Sequence, residues 1–208
     1  MRFGVDEAGK GPVLGSMFAA CVRGARADLP EGVVDSKRLA PERRGELSAV
    51  IRDRFEVSVA EIPVARIDGD EDLNTLTVEA HAEAIAKVAD ADDPGMCDAG
   101  DTSESRFARR VAEASGVSGV EAEHKADDTH PLVAAASIVA KVERDAHVTA
   151  LAEEYGDVGS GYPSDPTTRS FLREYVREYG ELPDCARASW STSSDVLAAA
   201  EQSGLDEF

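Results

Sequence analysis

The chain has 208 residues, of which 42% are hydrophobic, a length suited to one core with an appended subdomain. Its net charge of −19 comes from 41 acidic residues dispersed along the sequence, which excludes a single acidic tail and points to a solvated, salt-adapted surface. The apolar stretches 12–22 and 131–142 are too short to cross a bilayer, the segment after Met1 resembles no secretory signal, and Cys21, Cys97 and Cys185 form neither a disulfide framework nor a zinc knuckle, so a cytoplasmic protein with buried free thiols is expected.

In chain order, residues 2–8 and 13–23 read as apolar strands of an opening hairpin joined by Gly9-Lys10-Gly11-Pro12. Pro41 starts a polar helix over 41–54, with Leu47, Val50 and Ile51 on one side, and a strand follows over 55–62. Leu73, Leu76, Ala80, Ala84 and Val88 give helical spacing over 73–90. A short strand, Pro94 to Asp98, precedes a helix over 102–115 and a strand over 117–123. The strongest helix spans 131–155, with Thr129 as a candidate cap and Pro131 in the first turn. Gly156 to Pro166 break the pattern, and helices over 167–179 and 193–203 follow. Strands first, then helix and strand in alternation, predict an α/β fold with a mixed sheet. The division falls at 155/156, giving a catalytic domain over 1–155 and a helical extension over 156–208.

Only five lysines occur, and four sit in unusual company: Lys10 in a glycine loop, Lys37 after Asp35-Ser36, Lys125 before Ala126-Asp127, and Lys141 in an Ala/Ser-rich helix. Such placement suggests contact with an anion. The acidity is no bar to a nucleic acid, because in molar salt the Debye length is roughly 3 Å and only local contacts count.

Three acidic spots lie at strand ends: Asp6-Glu7, Asp98, and Asp127 before a helix. If these ends are neighbours, four carboxylates converge, a donor set suited to hard divalent cations that stabilise phosphodiester hydrolysis. Adjacent residues of a regular strand point to opposite faces, so Asp6 and Glu7 share a site only where the strand bends or ends. Gly4 to Lys10 also fits the G-x-x-x-x-G-K phosphate loop. That reading fails because Gly11 stands where Ser or Thr should hold magnesium, and two acids lie inside the loop.

Five ordered segments carry a resemblance: Asp6 to Gly15, Asp35-Ser36-Lys37, Glu123 to Asp127, Val133 to Asp145, and Gly159 to Asp165. Their sequence is similar to that of archaeal ribonuclease HII, of the haloarchaeal type. The resemblance implies a ribonuclease H-like mixed sheet flanked by helices, with a small C-terminal helical subdomain. It implies two-metal hydrolysis with Mg2+ or Mn2+, leaving a 3′-hydroxyl and a 5′-phosphate. Asp6, Glu7, Asp98 and Asp127 would be the catalytic metal ligands, with Asp101 competing for the third place and Asp128 adjoining the fourth. Gly9, Lys10 and Gly11 would read the ribose 2′-hydroxyl, the group that separates RNA from DNA, and Tyr162 would stack on the sugar. Lys37, Lys125, Lys141 and Arg144 would contact phosphates, although Lys141 and Arg144 equally suit pairing with acids on their own helix. Arg187 and Trp190 would touch substrate or pack the tail.

The implied partners are RNA–DNA hybrids and duplex DNA carrying ribonucleotides, acted on by a monomer away from membranes, with sliding-clamp contact left open. Cleavage would fall 5′ of ribonucleotides, in primer removal and ribonucleotide excision. Two rival readings are a structure-specific DNA nuclease and a non-catalytic acidic module that binds cations.

Overall fold

The computed structural model describes residues 1–33 and 39–205, with side chains to 202. Chain contacts divide it into two units.

The first unit comprises Met1–Ala8, Phe18–Glu61 and Asp72–Arg144. Its sheet has the order β3-β2-β1-β4-β5, built from β1 (Arg2–Ala8), β2 (Met17–Gly24), β3 (Glu56–Ile62), β4 (Pro94–Asp98) and β5 (Gly119–Glu123). β1 runs antiparallel to β2 from Arg2↔Gly24 to Ala8↔Phe18, and parallel to β4 from Phe3↔Gly95 to Val5↔Cys97. β4 and β5 are parallel from Pro94↔Gly119 to Asp98↔Glu123. The sheet is therefore mixed, as the order of elements in the sequence predicts.

Alternation along β1 sorts its side chains between two cores. Phe3 and Val5 join Cys21, Cys97, Val78, Ala82 and Ile85 of α3 (Leu73–Ala86), and Phe107 and Val111 of α4 (Glu104–Ser115). A separate core combines Ala20 and Val22 with Leu47 and Ile51 of α1 (Pro41–Arg54) and with α5 (Pro131–Tyr155), from Leu132 to Ala140. Gly4 fixes how closely α5 approaches: a Cβ there would sit 2.3 Å from the carbonyl carbon of Leu132 and from the Val133 nitrogen, so only glycine admits the helix. The three cysteines are buried free thiols, as expected.

The second unit comprises Gly9–Met17, Ile62–Glu71 and Asp145–Phe208. It holds a short helix α2 (Val64–Ile67), the last turns of α5, α6 (Pro166–Tyr179) and α7 (Ser191–Leu205). Its core gathers Val13 and Leu14 with Leu151, Val158, Leu172, Val176, Cys185 and Val196. By chain contacts the boundary between the units falls inside α5, after Arg144, and two earlier segments join the C-terminal helices. One expectation is corrected. The second strand begins at Met17 and not at residue 13, because Val13 and Leu14 donate their N–H groups to Gly161 O (2.8 and 3.2 Å) and Leu14 bridges Ala186. Thr129 closes a 3-10 turn over Ala126–Asp128, and its hydroxyl lies toward Glu123. Among the described residues no helix is long and apolar enough to cross a membrane.

Candidate active site

β1 is bonded to β4 only as far as Val5, whereas its pairing with β2 continues to Ala8. Asp6 and Glu7 thus occupy the stretch where the β4 side of the strand opens. The chain leaves β1 toward β2 on one side and returns as β4 on the other, so this opening is the switch point of the sheet, where α/β folds place ligands beyond the carboxyl ends of strands. Asp98 ends β4 and is the next position after the last β1–β4 pair. Asp127 lies in the 3-10 turn after β5, entered through Lys125 in the left-handed conformation at φ 58°. The Ala126 N–H donates to Asp98 Oδ1 at 2.9 Å and ties that turn to the end of β4.

The strand does not bend to bring Asp6 and Glu7 to one face. Asp6 takes a hydrogen bond from Ser137 on α5, while Glu7 Oε2 accepts from His81 Nε2 on α3 at 2.8 Å. Both groups nonetheless stand at the same opened end, and the electrostatics register it. Burial, then the Glu7 charge, then Asp98 and Asp127 push the Asp6 carboxyl well above its ordinary range, against the pull of Ser137. Burial raises Asp98 as well, and Glu7 and Asp127 add to it, while the Ala126 N–H opposes. The four acids therefore share one field. Asp6 and Asp127 are buried, and Glu7 and Asp98 half-buried.

Among the described residues no three His, Cys, Asp or Glu side chains are closed to metal-binding geometry. The carboxylates are instead held by protein donors: Asp6 by the Glu7 N–H at 2.8 Å and by Ser137, Glu7 by His81, Asp98 by Ala126. Mutually repelling carboxylates have no reason to close on one point until a cation offsets their charge. Asp6 and Asp98, both pushed toward protonation by burial and by neighbouring acids, are hard oxygen donors that a divalent cation would relieve, so the residues fit the group.

Asp101, the competitor for the third place, is engaged elsewhere. Arg106 grips it through Nε at 2.9 Å and Nη2 at 2.5 Å, and this pairing holds its carboxyl far below the usual range. His124 bonds Asp101 O and Glu104, and His130 bonds Glu123. Lys141 Nζ donates to Ser137 Oγ at 2.8 Å, which leaves the Ser137 hydroxyl hydrogen for Asp6. Arg144 is buried, and Glu143 pairs with Arg52 from α1. Lys125 is exposed. Lys37 lies outside the described residues.

The Gly9-Lys10-Gly11 turn belongs to the second unit, and an arginine that sequence reading left without a definite role organises it. Arg187 is fully buried and donates to three carbonyls: Gly9 O at 2.6 Å, Lys10 O at 3.1 Å and Gly15 O at 2.8 Å. Trp190 donates from Nε1 to Gly11 O at 3.2 Å and stacks under the Arg187 guanidinium at 4.8 Å. With those carbonyls occupied, the N–H side of the turn is set by the fold. Gly9 has φ 89°, a conformation that other residues rarely take. Tyr162 is 41% exposed, and a Cβ on Gly11 would lie 3.8 Å from its ring.

Solved structures share this fold. The ribonuclease H2 of Pyrococcus horikoshii OT3 superposes with a TM-score of 0.90 at 34% identity, over 97% of this chain and 99% of that one. The RNase HII of Archaeoglobus fulgidus, solved in complex with PCNA, gives 0.86 at 40% identity, over 94% and 96%. Bst-RNase HIII, solved with Mn2+, shares the fold alone: 0.82 at 20% identity, over 97% of this chain and 70% of that one. The architecture is thus ribonuclease H-like, with acids clustered at its switch point.

The Ribonuclease HII family model matches residues 3–193. Ribonuclease HII of Halobacterium salinarum (strain R1) is 63% identical over 210 residues, covering 100% of this chain and 99% of that protein, and the Haloarcula marismortui protein is 64% identical over 211 residues, covering 100% of both. The chain belongs to the ribonuclease HII family, and its activity is that of a type 2 ribonuclease H, an endonucleolytic hydrolase.

Proposed function

We propose that the protein hydrolyses the RNA strand of RNA–DNA hybrids and cuts 5′ of ribonucleotides embedded in duplex DNA, leaving 3′-hydroxyl and 5′-phosphate ends, with Asp6, Glu7, Asp98 and Asp127 holding Mg2+ or Mn2+. The observation that carries this is the shared field of those four carboxylates at the opened end of β1. Two such cations supply a nucleophilic water and neutralise charge on the leaving oxygen. The chain's own residues do the rest. Ser137, braced by Lys141, orients Asp6, and the Ala126 amide orients Asp98. The Gly9–Gly11 turn, its carbonyls fixed by Arg187 and Trp190, recognises the ribose 2′-hydroxyl through backbone groups, and Tyr162 stacks on the sugar. Lys37 and Lys125 contact phosphates. Lys141 and Arg144 act mainly by bracing α5, since Lys141 is bonded to Ser137 and Arg144 is buried.

Primer removal and ribonucleotide excision are the roles that follow from such a substrate. A sliding clamp like the one bound to the Archaeoglobus enzyme is a proposed partner.

The test is a duplex with one ribonucleotide, and its all-DNA twin, incubated with Mg2+ or Mn2+ in molar KCl. Cleavage 5′ of the ribonucleotide is expected, with the twin intact. Asp6→Asn and Asp98→Asn each lose about 100-fold or more in kcat, the scale of removing one transition-state-stabilising group, while Asp101→Asn keeps most activity. Equal cutting of both duplexes contradicts the proposal.

A further inference from the structure

Among the described residues His81 is the one buried histidine, fully enclosed on the sheet side of α3, among Val78, Ala82 and Ile85. An imidazole is a costly choice for a helix position that faces such a core, because its nitrogens leave water. One nitrogen is compensated: Nε2 lies 2.8 Å from Glu7 Oε2. The other is not: Nδ1 is buried with no hydrogen-bond partner, and the ring meets the edge of Phe107 at 5.1 Å and 85°. A carboxylate only accepts, so Nε2 carries a hydrogen, and Nδ1 is the atom left unpaired. Phe107 fixes the plane of the ring, and that plane fixes the direction of the N–H.

The position therefore tolerates an unsatisfied buried nitrogen for the sake of the other one. We infer that His81 is a positioning residue: its Nε2–H holds the Glu7 carboxylate in the orientation from which it reaches a divalent cation. Glu7 needs such a guide more than Asp6 does, because it projects to the α3 face of the sheet while Ser137 serves Asp6 on the α5 face. His81 never touches substrate; it acts through Glu7. Hydrogen bonds of this kind to ligating carboxylates commonly contribute 10- to 100-fold in metal affinity or activity.

The inference rests on the proposed cation site, and the experiment separates the two. Mn2+ binding is measured by electron paramagnetic resonance, in high salt, for the wild-type protein, His81→Gln and His81→Met, beside kcat, KM and the thermal midpoint of each. Gln places an amide N–H where Nε2–H stands; Met fills the space without a donor. His81→Met is expected to bind Mn2+ at least about tenfold more weakly and to lose kcat more than KM, with His81→Gln restoring most of both. In wild type, the 15N spectrum of the ring should show the Nε2–H form, with a resonance that moves on addition of Mg2+; this arm needs no variant to fold. Failure of wild type to bind Mn2+ removes the cation site itself. Wild-type binding together with unchanged affinity and kcat in His81→Met, or a ring resonance of the Nδ1–H form, overturns the role of His81 and leaves the cation site standing.

Discussion

Arg187 shows how much of a recognition element can depend on one side chain outside it. Its guanidinium is spent on main-chain carbonyls of Gly9, Lys10 and Gly15, and its planar fork matches three acceptors that an ammonium could not span. Arg187→Met leaves those acceptors short of donors in a buried setting, so we expect a loss of about 2 kcal/mol or more in stability, read by chemical denaturation in high salt. Arg187→Lys should fold better than Arg187→Met yet still raise KM for a ribonucleotide duplex, measured by steady-state cleavage. An unchanged KM in Arg187→Lys would mean that the turn holds its shape without the fork. The sequence offers Arg187 only as a residue that touches substrate or packs the tail, because its burial and its partners depend on segments more than 170 residues apart. His81 carries no sequence signal at all, since its partner Glu7 lies 74 positions away.

At the scale of elements, three boundaries were legible from prolines that punctuate the chain. Pro41, Pro94 and Pro131 open α1, β4 and α5 at the residues the sequence indicates. The errors have physical causes. Val13 and Leu14 read as strand because they are apolar, but hydrophobicity does not say which core a residue joins, and these two serve the second unit. The helix expected to reach residue 90 stops at Ala86, and the four-residue α2 is too short to show a period. The phosphate-loop pattern from Gly4 to Lys10 is excluded outright, since residues 2–8 are a paired strand. One element invites a direct test. Asp165 caps α6 through the Thr167 N–H at 2.9 Å, receives the Ser160 N–H at 2.5 Å, and closes the turn that carries Tyr162. Hydrogen bonds from Ser160 and Thr167 lower its carboxyl from 3.8 to about 2. A depressed carboxyl stabilises the fold above its unfolded value and loses that contribution as pH falls through the folded one. Asp165→Ala should therefore melt below wild type at neutral pH, with the gap narrowing between pH 3.8 and about 2 in a series of thermal melts. A gap constant across that window would contradict the capping role.

For the molecule as a whole, the class of fold was legible because five separated motifs keep their order along the chain. The sequence suggests a boundary at 155/156 with the C-terminal helices as an extension; by chain contacts the second unit also takes residues 9–17, the glycine turn included. A net charge of −19 is compatible with such a site, because dispersed surface acids are solvated while these four lie at or just beyond strand ends, two of them buried. The central claim is that Asp6, Glu7, Asp98 and Asp127 jointly hold divalent cations. Anomalous diffraction from crystals soaked in Mn2+ tests it most directly. The account predicts two peaks roughly 4 Å apart, each coordinated by oxygens of these carboxylates; Mn2+ bound only to other surface acids, with these four unligated, would contradict it.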